Sequence, residues 1–389
     1  MACAGKRSRI KNLLVNAQTA DAFEAPAASQ NYRLDNGFVS QATPEVIARD
    51  IAKSSYTPEV DLMGIKVATM TGVSEMYGAD YTDGTTKPWF NDLFEAGQLV
   101  ATKVTQIPVS AISSNFVAGE TITGGIGGAI GRVAIPTTLT DTFISIVLTS
   151  GVFQAETLSG SITGSATATG VDVDAGWEYA FDTSSCVRLS AQSEEDGLIS
   201  QIYNAVPTFS ISCDEAGQIP KVNYEISGVI NYTTEEEWMR DGSMTDLTGF
   251  RSEVIPPRFI DARIKYDAYS PVVDSSFTID PSIQKTLRPD ANNQSGAEGY
   301  ALTGRAGIMS FRINTPTNAE LDFIQDWFNA TGVGVEGRFG NEVGNTFWFI
   351  APTARLENVT SADADGEMKQ ELQFKLTGQD DQELRIVCI

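Results

Sequence analysis

From Lys221 to Tyr232 the chain alternates. Val222, Tyr224, Ile226, Gly228, Ile230 and Tyr232 fall on even positions, and Lys221, Asn223, Glu225, Ser227 and Asn231 on odd ones, where Val229 is the exception. Side chains alternate faces along a strand, so a β-strand with one apolar and one polar face is predicted here. It runs well past the globular average of about 5–6 residues. The same period of two recurs over Ile260–Tyr266, Met309–Ile313 and Leu372–Leu376. Phe143–Leu148 and Thr346–Ile350 are more evenly apolar and are expected to be covered on both faces. This record fits antiparallel sheets, packed or rolled, and a mainly β fold.

Two segments change period. KPWFNDLFEAG starts with Pro88 in a helix's first turn and stops at Gly97, with Trp89, Leu93 and Phe94 to bury. TPTNAELDFIQDWFNATG, 315–332, predicts a longer helix. Thr317 and Glu320 would form its capping box, Leu321, Ile324, Trp327 and Phe328 its apolar face, and Gly332 its stop. Both helices are expected to flank the sheets.

Residues 106–176 are a compositional island rich in Gly, Thr, Ser and Ala. FVAGETITGGIGGAIGRV from Phe116 and FQAETLSGSITGSATATG from Phe153 align Glu120 with Glu156, Ile122 with Leu158, Gly124 with Gly160 and Gly128 with Gly164. This is a duplicated unit of short β-segments with turn glycines. The expected organisation is a flexible N-terminal arm at 1–40, a β-rich core at 41–105 and 177–389, and an inserted surface β-module at 106–176.

Composition narrows the chemistry. There are 27 basic against 50 acidic residues, a net charge of −23, which repels phosphate backbones and argues against nucleic-acid binding. Four cations, Lys6, Arg7, Arg9 and Lys11, precede the first acid, Asp21. The apolar stretch after them is too short for a signal core, and no segment has the length of a membrane helix. Histidine is absent, removing imidazole-based catalysis and metal binding. Cysteines 3, 186, 213 and 388 form no CxxC pair and read as reduced thiols. GGIGGAIGR fails the GxGxxG spacing and lacks a P-loop lysine.

Asp172–Asp174 and Asp363–Asp365 resemble fragments of calcium loops but lack the twelfth-position glutamate, which leaves only a weak Ca²⁺ site conceivable. Glu194–Asp196, Glu235–Glu237 and Asp380–Asp381 read as solvated turns or strand ends. Trp177, Trp238 and Trp348 could stack on sugars, although core aromatics are commoner. No catalytic, cofactor-binding or metal-binding constellation emerges, and no enzyme is expected.

GVSEMYGADYTDGTTKPWFNDLFEAGQL (72–99) and SSCVRLSAQSEEDGLISQIYNAVPTFSISCDEAGQIPKVNYEISGVI (184–230) resemble the major tail tube proteins of long-tailed, non-contractile bacteriophages. The pattern is a strand ending in Glu75 and Gly78, the Pro88–Gly97 helix, a strand pair around EEDG and the DEAGQIPKVNYEISG strand. The insertion departs from the pattern. The part after 245 is unmatched: a second tube-like half or a decoration domain.

The resemblance implies an antiparallel β-sandwich or partial barrel flanked by a helix. Copies would join sheet to sheet into a ring, usually a hexamer, and rings would stack into a tube for DNA delivery. A long strand could continue into a neighbour's sheet, and ring closure would pair its edge. Lys221, Asn223, Glu225 and Asn231 would then face the lumen, with an acidic wall that lets DNA slide. Lys6, Arg7, Arg9 and Lys11 would form an inter-subunit arm whose removal, through residue 20, spares the fold.

The implied partners are the chain itself, tape measure and terminator proteins, and DNA as transient cargo, without a membrane anchor or cofactor. The implied location is the virion tail, after synthesis in the host cytoplasm. A carbohydrate-binding adhesin, with 106–176 as receptor surface, is the alternative. A carboxylate-dependent hydrolase ranks behind both.

Overall fold

A computed structural model describes residues 11–389 except 36, 48–60, 80–85, 232–237, 248–253, 261, 268, 272, 318–319, 343 and 365. The chain opens with β1 (Lys11–Ala17), β2 (Asn31–Tyr32) and β3 (Val39–Ala42). A small hairpin of β4 (Val46–Ile47) and β5 (Leu62–Met63) leads to β6 (Val67–Glu75). Helix α1 (Asn91–Ala96) precedes the long β7 (Leu99–Ser114). The island supplies β8 (Thr121–Gly124), β9 (Ile130–Val133), β10 (Phe143–Ser150), β11 (Thr157–Gly160) and β12 (Ser165–Ala168).

β13 (Val173–Phe181) then returns beside β7. β14 (Leu189–Glu195), β15 (Leu198–Glu215) and β16 (Lys221–Ile230) follow as consecutive hairpins. The β14–β15 turn is Asp196–Gly197, both at positive φ, as a two-residue hairpin of matching twist requires.

The remainder comprises β17 (Arg240–Asp241), β18 (Arg263–Tyr266), β19 (Val273–Asp280), the hairpin β20 (Ile283–Pro289)–β21 (Ala297–Arg305) and β22 (Ile308–Asn314). Helix α2 (Phe323–Asn329), β23 (Gly332–Phe339), β24 (Phe347–Ala364), β25 (Glu367–Thr377) and β26 (Arg385–Cys388) complete it. The fold is mainly β, and among the described residues 22 strands form one hydrogen-bonded network.

Two layers enclose the main core. One is a continuous run in the order β3-β6-β16-β15-β19-β22-β25-β24. The other runs β18-β23-β24-β26-β13-β7, with β1 and β14 beside the first half of β15. β15 and β24, 18 residues each, belong to both layers. Each shifts register partway, at Tyr203/Val206 and Leu356/Asn358, and such bulges bend a strand so that it can change layer.

The chain is internally duplicated. The first unit runs β1, β3, β4–β5, β6, α1, β14, β15, β16; the second runs β18, β19, β20–β21, β22, α2, β23, β24, β25. The registers coincide. Val39 lies opposite Thr71 as Thr278 lies opposite Ser310, and Val46–Met63 and Ile47–Leu62 match Lys285–Leu302 and Thr286–Ala301.

Several expectations need correction. The 220–232 strand ends at Ile230, and Tyr232 lies outside the described residues. The strand expected from Ile260 begins at Arg263, with Ile260 itself 56% exposed. Phe143 is exposed, so β10 is not covered on both faces at its start.

The 315–332 helix shortens to Phe323–Asn329. Glu320 turns back to accept the amide and hydroxyl of Thr317, while Asp322 caps the helix by accepting from Gln325 N. Left-handed Ala330 ends it. Its buried residue is Phe323, whereas Ile324, Trp327 and Phe328 are exposed.

The flexible arm also fails over residues 11–17. Leu13, Leu14 and Val15 are buried, and β1 pairs with β14 and β2. Deletion through residue 20 would therefore remove a core strand. Lys11 is held by Phe38 O at 2.9 Å and Glu195 at 3.3 Å, whereas Lys6, Arg7 and Arg9 lie outside the described residues.

The 106–176 segment has an apolar cluster of its own, including Ile107, Phe116, Ile122, Ile146, Phe153 and Leu158. Its two repeats pair about a local pseudo-twofold, β8 against β11. Glu120 accepts from Ile162, Thr163 and Gly164 N, and Glu156 accepts from Ile126 N, so each glutamate caps the other repeat's turn. A Cβ on Gly124 or Gly160 would strike the partner glutamate.

Burial pushes the Glu120 carboxyl up, but its backbone N–H donors outweigh that and hold it below its ordinary value. The stability it contributes is present above the unfolded pKa and is lost as pH falls through the lowered one. Glu120→Gln is expected to cost about 1–3 kcal/mol locally. In hydrogen exchange, amides 162–164 should lose their protection relative to intrinsic rates in the variant at neutral pH, but in the parent only in acid.

Candidate functional site

The feature most unlike an ordinary core is the polar side of the β3-to-β24 layer. Even positions of β16, Val222, Tyr224 and Ile226, enter the core. Odd positions therefore present Lys221, Asn223 and Glu225 together on the opposite face, each half-buried. Register carries this face sideways: Thr71 and Thr208 flank Glu225, and Val73 and Ser210 flank Asn223. Beyond β15 it continues through Thr278, Ser310, Gln373 and Asn358, which lie opposite one another in turn. An open basin between β6 and β19 is lined by Thr71, Ser210, Asn223, Glu225 and Asp280.

The β20–β21 hairpin straps one end of this face. Lys285 Nζ donates to Glu225 Oε1 at 2.7 Å and Ser227 Oγ at 2.8 Å. Asn204 Nδ2 donates to Glu298 O at 2.7 Å, and Lys66 N to Ser295 O at 2.8 Å. Ser227 and Val229 are buried at this strapped end. Asn231 lies past the strand, donating to Gln201 Oε1 at 2.8 Å. Of the four residues expected on one surface, three are brought together and Asn231 is not.

The expected acidic wall is not what this face carries. Glu75, Asp214, Glu225, Asp280, Glu367 and Glu371 share it with Lys221, Arg312, Arg355, Lys369 and Lys375, by strand parity and register. Several cations are paired. Lys221 sits 2.7 Å from Asp35, a hydrogen bond that holds its ammonium above the ordinary range, and Arg312 lies opposite Glu371. The face is mixed in charge, with six acids against five bases, and most of the chain's acid excess resides elsewhere.

The remaining candidates are mostly structural. Glu194 is not solvated: it is fully buried and accepts from Asn12 Nδ2, Gln192 Nε2, and Thr245 N and Oγ1. Asp381 is likewise bound, by Thr183 and Arg305, and these hydrogen bonds bring its carboxyl to about 2. Asp172 accepts from Phe153 N and Asp174 pairs with Lys103. Asp365 and Glu235–Glu237 lie outside the described residues.

Among the described residues no cluster of three or more His, Cys, Asp or Glu could hold a metal. No helix among them is long and apolar enough to cross a membrane. Trp177, Trp238 and Trp348 are half-buried; Trp177 donates to Thr86 O at 3.2 Å, and Arg338 lies over Trp348. The strap escaped sequence reasoning, and a second half after 245 was offered there only as one of two alternatives. The one available signal was the matched spacing of the two units, which shared residues hardly mark. No family model matches the chain, and no curated protein matches it in sequence.

Proposed function

We propose that this chain is a non-enzymatic structural subunit that assembles into rings and a stacked tube, of the bacteriophage tail-tube type, as a conduit for DNA. One observation carries the reading. Two equivalent units lie edge to edge in a single layer whose polar face is continuous from β3 to β24. Such a wall suits a channel. Its hydroxyls and amides keep it wet, and its cations have carboxylate neighbours, so few are left to neutralise phosphates and trap DNA.

With two units per chain, the sixfold repeat expected of such rings needs half as many chains as a simple hexamer. The virion is the location, and tape measure and terminator proteins are the further partners of this reading. Sedimentation of the purified chain over a concentration series, with negative-stain microscopy, tests it. Annular particles or hollow filaments are expected; a monomer at every concentration would overturn it.

A further inference from the structure

We infer that a second copy completes this chain head to tail. The outer edge of β3 pairs with the Val359–Ala362 edge of β24 in the neighbouring copy, and the β4–β5 hairpin straps that neighbour's β24–β25. This rests on the reading that copies assemble, and it names the surfaces that do so.

The chain contains the template for the contact. Its first unit ends laterally in β15, and the second begins in β19; the two meet through Ile211–Ile279, Ser212–Thr278 and Cys213–Phe277. From β19 the β20–β21 hairpin reaches back across β15 and β16. Among the described residues the equivalent elements at the two ends of the layer have no such partners: β3 pairs only with β6, and β23 covers β24 only as far as Arg355. Glu357 O accepts from Trp327 Nε1, which leaves the following residues as the open edge among those described. Open edges of this kind invite pairing with another chain.

The strap gives independent support. Ala301 is 8% exposed in the second hairpin, whereas its counterpart Leu62 is 51% exposed, beside exposed Val46 and Ile47. A soluble monomer gains nothing from an apolar hairpin held in solvent. A copy seated as β15–β16 sits beneath the second hairpin would cover it.

The register follows by equivalence. Lys221 lies opposite Ser212 and Glu75, and Lys369 opposite Ala362 and Asn314. Ser212 therefore corresponds to Ala362. Thr278 corresponds to Val39, since Ser310 and Thr71 are equivalent. The Ser212–Thr278 pair becomes Ala362–Val39 between copies and Ile211–Ile279 becomes Ser361–Ser40; continued one pair past the end of that ladder, Thr360 meets Gln41. Both lie on the polar side and are exposed. Thr43 N donates inward to Val67 O, so Ala42 and Ser40 point their N–H groups outward. Because one edge meets a different edge, the contact is heterologous and propagates around a ring.

The test is oxidation of Gln41→Cys/Thr360→Cys in a Cys3→Ser/Cys186→Ser background, since Cys186 is exposed. Facing residues of an antiparallel pair are within disulfide reach. A covalent ladder is expected that stops at the ring size, with neither single-cysteine variant forming it. Ser40→Pro should abolish assembly while changing the monomer's melting temperature little, because Ser40 is the equivalent of Ile279, which pairs with Ile211, and the donor lost points outward. If rings or tubes form but the double variant stays uncrosslinked, or a single variant dimerises through itself, this interface is wrong and the tube reading stands. If the parent never assembles, both fall.

Discussion

Gly78→Ala is expected to destabilise the fold by about 3 kcal/mol, beyond the ordinary range for a surface glycine. A Cβ at Gly78 would lie 1.8 Å from the carbonyl oxygen of Gly344. That obstacle is backbone and cannot rotate away. The amide of Gly78 also donates to Asn345 Oδ1 at 2.9 Å, and Asn345 Nδ2 donates to Ile255 O at 2.6 Å. The crossing ties the loop after β6 to the loop before β24, joining the two units. Gly127→Ala is the control. Gly127 has φ +82 but open space around it, so only backbone strain is added, about 1 kcal/mol. Denaturant midpoints of the two variants should differ accordingly. Equal midpoints would mean that the close approach is not tight.

Glu194→Ala should cost about 3–5 kcal/mol, whereas Glu195→Ala next to it should cost less than about 1 kcal/mol. The two share a charge and an element, yet Glu194 is fully buried with four donors aimed at it. Removing the carboxylate strands those donors, including that of the buried Asn12 on β1. Glu195 faces Lys11 at 3.3 Å with both side chains about a quarter exposed, a geometry in which solvent screens most of the attraction. Comparable losses in urea titrations of the two variants would contradict this assignment.

These two residues mark where sequence reading reaches its limit. Alternation located β16, β22 and β25 because each buries one face and leaves the other wet, which writes a period of two. The Glu120 and Glu156 repeats were visible because their turns need the same residues twice. Glu194 looked like a solvated charge because its donors come from β1 and from Thr245, far along the chain. The sequence left a second half as one of two alternatives for a related reason. Between Thr69–Glu75 and Ile308–Asn314 only Met70 and Met309 are identical, since a sheet position constrains polarity and size more than identity.

The helix at 315–332 misled through its composition. Its apolar residues have the spacing of a buried face, but Thr317 and Glu320 spend their capping groups on a separate turn. The polar wall was half legible. Parity picked out Lys221, Asn223 and Glu225, but the strap that claims Glu225 comes from the second unit. Net charge was no guide to this face, because a total cannot say which face carries it.

The claim beneath all of this is that copies close their sheets upon one another and turn the hydroxyl-rich side inward. A cryo-electron microscopy reconstruction of the assembled protein tests it most directly. The account predicts a threefold ring in which Thr71, Ser210 and Asn223 border the central channel and residues 106–176 project outward. A ring with this face turned to the exterior, or with the insertion filling the bore, would contradict it.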